Sequence, residues 1–145
     1  MIFWDSSALV HLLIDQGRSD QVFNILKNDP YQLVWWGTTL ECHSSIARLE
    51  KEGVMSEPLS RQVQVRLKSL ASTWIEVLPS DQLKNLSVKF PYLYQLRAGD
   101  AAQLAAAIIG FSNQPHGQRF LSFDLRLCRA AQREGFELVV SEAYS

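Results

Sequence analysis

A chain of 145 residues with 47% hydrophobic and 20% charged residues has the size and composition of one globular domain, spanning 1–145 and able to bury a core without disulfides or a structural metal. No apolar stretch approaches the roughly 18 residues of a membrane span, and Met1-Ile2-Phe3-Trp4-Asp5 lacks the basic n-region of a secretory signal, so no membrane partner and a cytoplasmic location are expected. A formal net charge of −1 gives no global attraction to a polyanion, so nucleic-acid binding would rest on local basic patches or bound cations.

Ile2 to Trp4 is a short apolar run ended by polar residues, and Ala8, Leu9, Val10, Leu12 and Leu13 then recur at helical spacing, which predicts a strand followed by a helix. Val22, Phe23, Ile25 and Leu26 predict a second helix, closed by Asn28-Asp29-Pro30 because proline cannot continue it. Leu33 to Trp36 is the next expected strand. Thr38-Thr39-Leu40-Glu41 has the spacing of a capping box, so a helix is expected from there to the stop at Gly53. A further helix is predicted from about Glu57 to Ser72, then a strand over Trp74 to Leu78 ending at Pro79, then a helix through Leu83, Leu86 and Val88. From Asp100 the series Ala101, Ala102, Leu104, Ala105, Ile108 and Ile109 predicts a buried helix closed at Gly110. Ser112 to Gln118 is a loop, Phe120 to Phe123 a strand, Leu125 to about Gly135 a helix, and Phe136 to Val140 the last strand.

Strands alternating with helices imply an α/β sandwich around a mostly parallel sheet, which binds ligands at the carboxyl ends of its strands. Asp5, Glu41 and Asp124 each follow an expected strand closely, so a parallel sheet carries them to one edge. Asp100 follows a helix, and the pattern alone does not bring it there. Taken singly, each acid is also an acceptable helix cap, since carboxylates satisfy free N–H groups and favour the positive end of the dipole. Cys42 and Cys128 belong to no metal-ligand spacing and are expected as packed, reduced thiols; His11, His43 and His116 are too scattered for a metal or acid–base site.

The four acids in their order and contexts resemble the PIN-domain ribonucleases, and within them the VapC-type toxins of toxin–antitoxin pairs: Asp5-Ser6-Ser7-Ala8-Leu9, Glu41 in Thr38-Thr39-Leu40-Glu41, Gly99-Asp100-Ala101-Ala102-Gln103, and Ser122-Phe123-Asp124. The resemblance covers essentially the full chain. It implies a PIN-like three-layer α/β/α sandwich with a central, mostly parallel five-stranded sheet, and it implies that Asp100 joins the other three acids. Asp5, Asp100 and Asp124, with Glu41 directly or through water, would then hold one or two Mg²⁺ ions, Mn²⁺ being equally compatible with an all-oxygen site. Ser7 and Ser122, and after them Ser6, are candidates to hold a carboxylate in place, with helix capping as the competing role. Arg97 and Arg126 are the first candidates for phosphate contacts, with Arg129 and Arg133 behind them.

The implied activity is metal-dependent hydrolysis of RNA phosphodiesters, in a homodimer neutralised by a small antitoxin that places a basic side chain among the acids. The alternative is a PIN-fold RNA-binding module with weak catalysis, regulated by a protein partner. Phosphoryl transfer through an aspartyl intermediate at Asp5 is disfavoured, because Asp5-Ser6-Ser7 lacks the second acid two residues on.

Overall fold

The structure is a computed structural model that describes residues 1–140. Its elements follow in the order β1 (Ile2–Trp4), α1 (Ser6–Leu13), α2 (Ser19–Asn28), β2 (Gln32–Trp35), α3 (Thr38–Lys51), α4 (Glu57–Ala71), β3 (Ile75–Val77), α5 (Asp81–Ser87), α6 (Lys89–Tyr94), α7 (Ala98–Gly110), β4 (Arg119–Leu121), α8 (Leu125–Arg133) and β5 (Glu137–Leu138). All four strand pairings are parallel, in the order β3-β2-β1-β4-β5. The expected five-stranded, mostly parallel sheet is therefore parallel throughout.

Alternation along each strand divides the core between the two faces of the sheet. Phe3, Leu33 and Phe120 point into one layer with Leu83, Phe90, Leu104 and Leu127 from α5 to α8. Ile2, Trp4, Val34 and Leu121 point into the other, against Leu9, Val22, Ile46 and Leu67 from α1 to α4. This is the expected α/β/α sandwich. Of the apolar stretches at 9–14 and 22–26, Leu9, Leu13 and Val22 are core, while Phe23 is 51% exposed. No helix among the described residues is long and apolar enough to cross a membrane.

The last strand, expected over Phe136 to Val140, is only Glu137–Leu138, and β2 and β3 differ from expectation by a residue at their ends; three other differences have local reasons. The helix expected through Leu83, Leu86 and Val88 is two helices, α5 and α6, meeting at Val88; Pro91 has no N–H for the carbonyl four residues back, so it fits only the first turn of a new helix. The strand expected over Phe120 to Phe123 ends at Leu121, because Ser122 turns its hydroxyl to Asp5. The capping box at Thr38 does not form. Gly37 occupies the N-cap with no side-chain bond, and Thr38 already lies inside α3. A Cβ on Gly37 would lie 2.5 Å from the Trp35 indole nitrogen, so any other residue at this exit from β2 would have to displace the Trp35 ring.

Candidate active site

β1 is central, and the chain leaves it toward β2 on one side while β4 lies on the other. The crevice at such a switch point, at the carboxyl ends of the strands, is where open parallel sheets bind ligands. Asp5 stands directly after β1 and Asp124 three residues after β4, and the Asp5 N–H donates to the Leu121 carbonyl at 2.9 Å. Glu41 lies in the first turn of α3 and Asp100 in the first turn of α7. A Cβ on Gly99 would sit 3.7 Å from Glu41 Oε1, which places the start of α7 against Glu41.

Asp5 is 2% exposed, and its two oxygens are treated differently. Oδ2 accepts from Ser7 Oγ at 2.6 Å, Ser122 Oγ at 2.8 Å and the Ser7 N–H at 3.3 Å, while Oδ1 meets Ser6 Oγ at a longer 3.4 Å. Ser6 Oγ donates to Glu41 Oε2 at 2.6 Å and so bridges the first two acids. The Ser7 and Ser122 hydroxyl oxygens stand 3.1 Å apart over Asp5 Oδ2, Ser7 Oγ accepts the Phe123 N–H at 2.9 Å, and Ser122 Oγ accepts the Asp124 N–H at 3.0 Å. Asp124 Oδ1 caps α8 through the Leu127 N–H at 2.8 Å. The three serines thus do more than cap: Ser7 and Ser122 join the ends of β1 and β4 around Asp5, and Ser6 ties Glu41 of α3 to them.

Burial pushes the Asp5 carboxyl above its usual range, against the bonds from Ser7 and Ser122 that favour its charge. Glu41 is raised by burial and then by the charge of Asp5, with Ser6 and Gln103 opposing. Asp100 is pushed up to about 6, first by burial and then by Asp124, Asp5 and Glu41 in turn, with Arg97 opposing. The four acids therefore share one field, although they come from four separated stretches of the chain. Asp100 thus lies near enough to the other three to feel their charge, which the spacing of strands did not imply.

Sequence reasoning passed over Gln103 and Thr38. Gln103 is fully buried, and its amide nitrogen donates to Thr38 Oγ1 at 2.8 Å and to both Glu41 oxygens at 3.3 Å. Glu41 is thereby held by Ser6 and Gln103, not by the start of its own helix, which is why the capping box is missing. A signal was available: Gln103 is the one amide in the run from Ala101 to Ile109, three residues beyond Asp100 and on the same helical face. Cys42 and Cys128 are buried and form no disulfide among the described residues, as expected; the Cys128 thiol donates to the Ser122 carbonyl at 3.2 Å, and the Cys42 thiol is pushed up to about 12 by burial and by Glu41 and Asp5.

Among the described residues no three His, Cys, Asp or Glu side chains stand close enough together to cage one ion. The acids form a loose ring. Its chemistry still fits Mg²⁺, which keeps several waters and binds through one or two carboxylates, whereas softer ions use nitrogen and sulfur cages. Asp100 accepts no hydrogen bond, and burial and then its neighbours' charge disfavour its ionised form, a cost that a bound cation would relieve. Asp5 Oδ1 and Asp124 Oδ2 are the other oxygens left available.

Asp100 and Asp124 stand at one end of a trough of about 820 Å³ whose lining includes Arg97, Arg126, Arg129 and Arg133. Arg126 donates from Nη1 to the Gln95 carbonyl at 3.2 Å, and the Tyr94 hydroxyl donates to Glu134, so the two walls are tied together.

No family model matches the chain, and no curated protein does. Solved structures do. FitAcB from Neisseria gonorrhoeae is similar at a TM-score of 0.67 and 15% identity, over 95% of this chain and 96% of that one. A toxin–antitoxin complex from Klebsiella pneumoniae matches at 0.62 and 18%, over 86% and 87%. VapC20 of Mycobacterium tuberculosis, described as a sarcin–ricin loop cleaving toxin, matches at 0.67 and 13%, over 90% and 95%. At these identities the likeness speaks for the fold: the chain has the PIN fold that these toxin–antitoxin proteins share.

Proposed function

We propose that the protein is a metal-dependent endoribonuclease and the toxin of a toxin–antitoxin pair, acting on RNA in the cytoplasm. The observation that carries this is that Asp100, pushed up to about 6, feels the charges of Asp124, Asp5 and Glu41, and that Asp100 and Asp124 line an arginine-rich trough. Asp5, Asp100 and Asp124 would hold Mg²⁺ or Mn²⁺, with Glu41 directly or through water. Such an ion activates water and stabilises charge on a phosphodiester and its leaving oxygen. Ser7 and Ser122 fix Asp5 so that Oδ1 stays available, and Ser6 and Gln103 fix Glu41. Asp100 holds a proton at lower pH and gives it up when a cation takes its place. Arg97 and Arg126 are assigned to substrate phosphates beside the acids.

The likeness to toxin–antitoxin complexes supports a small antitoxin as the protein partner, and a homodimer is the assembly we assign. Cleavage of total cellular RNA in Mg²⁺, in Mn²⁺ and in chelator tests the activity. Metal-dependent products that vanish in Asp5→Asn and Asp100→Asn are expected; undiminished cutting by either purified variant excludes these roles. The openness of the ring favours a second reading, an RNA-binding module of the same fold with weak catalysis. Calorimetric metal titration beside the cleavage assay separates the two, because binding of RNA without cutting across varied substrates supports the module.

A further inference from the structure

The trough carries a pattern that hydrolysis at the ring does not use. α8 begins at the acidic end, with Asp124 as its N-cap, and runs away from it. Arg126, Arg129 and Arg133 follow at i, i+3 and i+7, which puts them on one face over about 10 Å of helix at ~1.5 Å per residue. All three are exposed and line the trough. None of them, nor Arg97, forms an ion pair among the described residues. Arg126 is engaged with the Gln95 carbonyl, which leaves Arg129 and Arg133 as the free cations farther along.

An unpaired row of guanidinium groups, on a chain whose net charge is −1, is suited to an anion that repeats. Guanidinium forks match phosphate oxygens in geometry as well as in charge. The trough is about 820 Å³, within the ~300–1,000 Å³ usual for a small-molecule site, and its arginines follow a single helix face, which suits a short stretch of one strand. We propose that α8 is a phosphate track for single-stranded RNA on one side of the cut, with Arg129 and Arg133 holding phosphates progressively farther from the acidic ring. This rests on the nuclease reading for the word "cut", but the track is testable without cleavage.

The test uses a labelled single-stranded RNA oligonucleotide, chelator, and the full chain carrying Asp100→Asn, with affinity measured by fluorescence anisotropy across salt concentrations. Adding Arg129→Gln and Arg133→Gln together should weaken binding about tenfold and flatten the slope of log affinity against log salt by about 1.4, at ~0.7 per lost phosphate contact on a single strand. Arg129→Lys with Arg133→Lys should restore most of the slope. Removing two cations from α4, at Arg61 and Lys68, on the opposite face of the sheet, should leave the slope unchanged. An unaltered slope in the Arg129/Arg133 variant overturns the track, and cleavage by the wild-type protein in parallel shows whether the nuclease reading survives it. A flattened slope with a wild-type protein that cuts nothing keeps the track and removes the nuclease. If RNA is not bound while a poly-glutamate peptide is, and Arg129→Gln with Arg133→Gln abolishes that, the trough takes an acidic peptide and the proposal fails.

Discussion

Replacing Asp100 by Asn should stabilise the metal-free protein while removing its activity. Raising a carboxyl from its ordinary 3.8 to about 6 corresponds to about 3 kcal/mol at ~1.36 kcal/mol per tenfold change. The side chain is only half-buried, so solvent screening leaves about 1.5–2 kcal/mol of that penalty. Asn also gives up the attraction between a charge in the first turn of α7 and the helix dipole, which costs about 0.3–1 kcal/mol. The net gain is therefore about 1 kcal/mol, or about 2–4 °C in Tm for a domain of this size. The pH dependence has a definite sign. An acid whose folded pKa is raised costs nothing below its unfolded value; the cost grows between about 4 and about 6 and is constant above. Urea unfolding of both proteins in chelator at pH 7.5 and pH 4 measures the difference. A gain at pH 7.5 that disappears at pH 4 is expected. Equal stability at pH 7.5, or a gain of the same size at both pH values, refutes the argument, since packing rather than charge would then be responsible.

Three further outcomes follow from the same geometry. Mg²⁺ should bind more tightly as pH rises through about 6 and should release protons on binding, because Asp100 must ionise first; calorimetry in buffers of different ionisation enthalpy measures this, and pH-independent binding counts against Asp100 as a ligand. Gln103→Leu frees Glu41 and leaves the buried Thr38 hydroxyl without its partner, so Mg²⁺ affinity and cleavage should both fall about 10- to 100-fold with the fold retained, and an unchanged metal isotherm would remove Gln103 from the site. Ser7→Ala removes a 2.6 Å bond to the buried Asp5 and the acceptor of the Phe123 N–H. At neutral pH it should lose about 2–3 kcal/mol in urea unfolding, and a loss below about 0.5 kcal/mol would mean that water replaces the hydroxyl.

The layered sheet was legible because periodicity reports which face each side chain buries, and Ile2, Phe3 and Trp4 or Leu33 and Val34 leave little choice. Its edges were less so. A strand's end depends on where its neighbour stops donating: the apolar Phe123 continues the pattern of Phe120 and Leu121, yet the Ser122 hydroxyl is already committed to Asp5. The break at Val88 was written in Pro91 and went unread. Asp5, Glu41 and Asp124 could be placed at one edge from topology alone, whereas Asp100 needed the family likeness, because nothing in the spacing of Leu96 to Gly99 says where α7 begins relative to the sheet. Gln103 was hidden for a related reason. Apolar periodicity identifies the buried face of a helix but not which buried amide meets which hydroxyl or carboxylate across the core.

Capping and metal binding stood as rival accounts of these acids, and the geometry shows why they need not compete. A carboxylate has two oxygens, and a cap uses one. Asp124 spends Oδ1 on the Leu127 N–H, and Asp5 concentrates the Ser7 and Ser122 hydroxyls and the Ser7 N–H on Oδ2; in each case the remaining oxygen is steered by the bond its twin makes. Capping thus aims the charge instead of consuming it. Asp100 is the contrast, since it sits in a helical first turn without capping anything, and burial and its neighbours' charge push it up to about 6. An acid with no structural bond to keep, held among three others, costs the fold stability at neutral pH, and the native chain retains it where Asn would fit. That cost is what distinguishes a site from a set of caps, and it is the quantity the Asp100→Asn measurement reads.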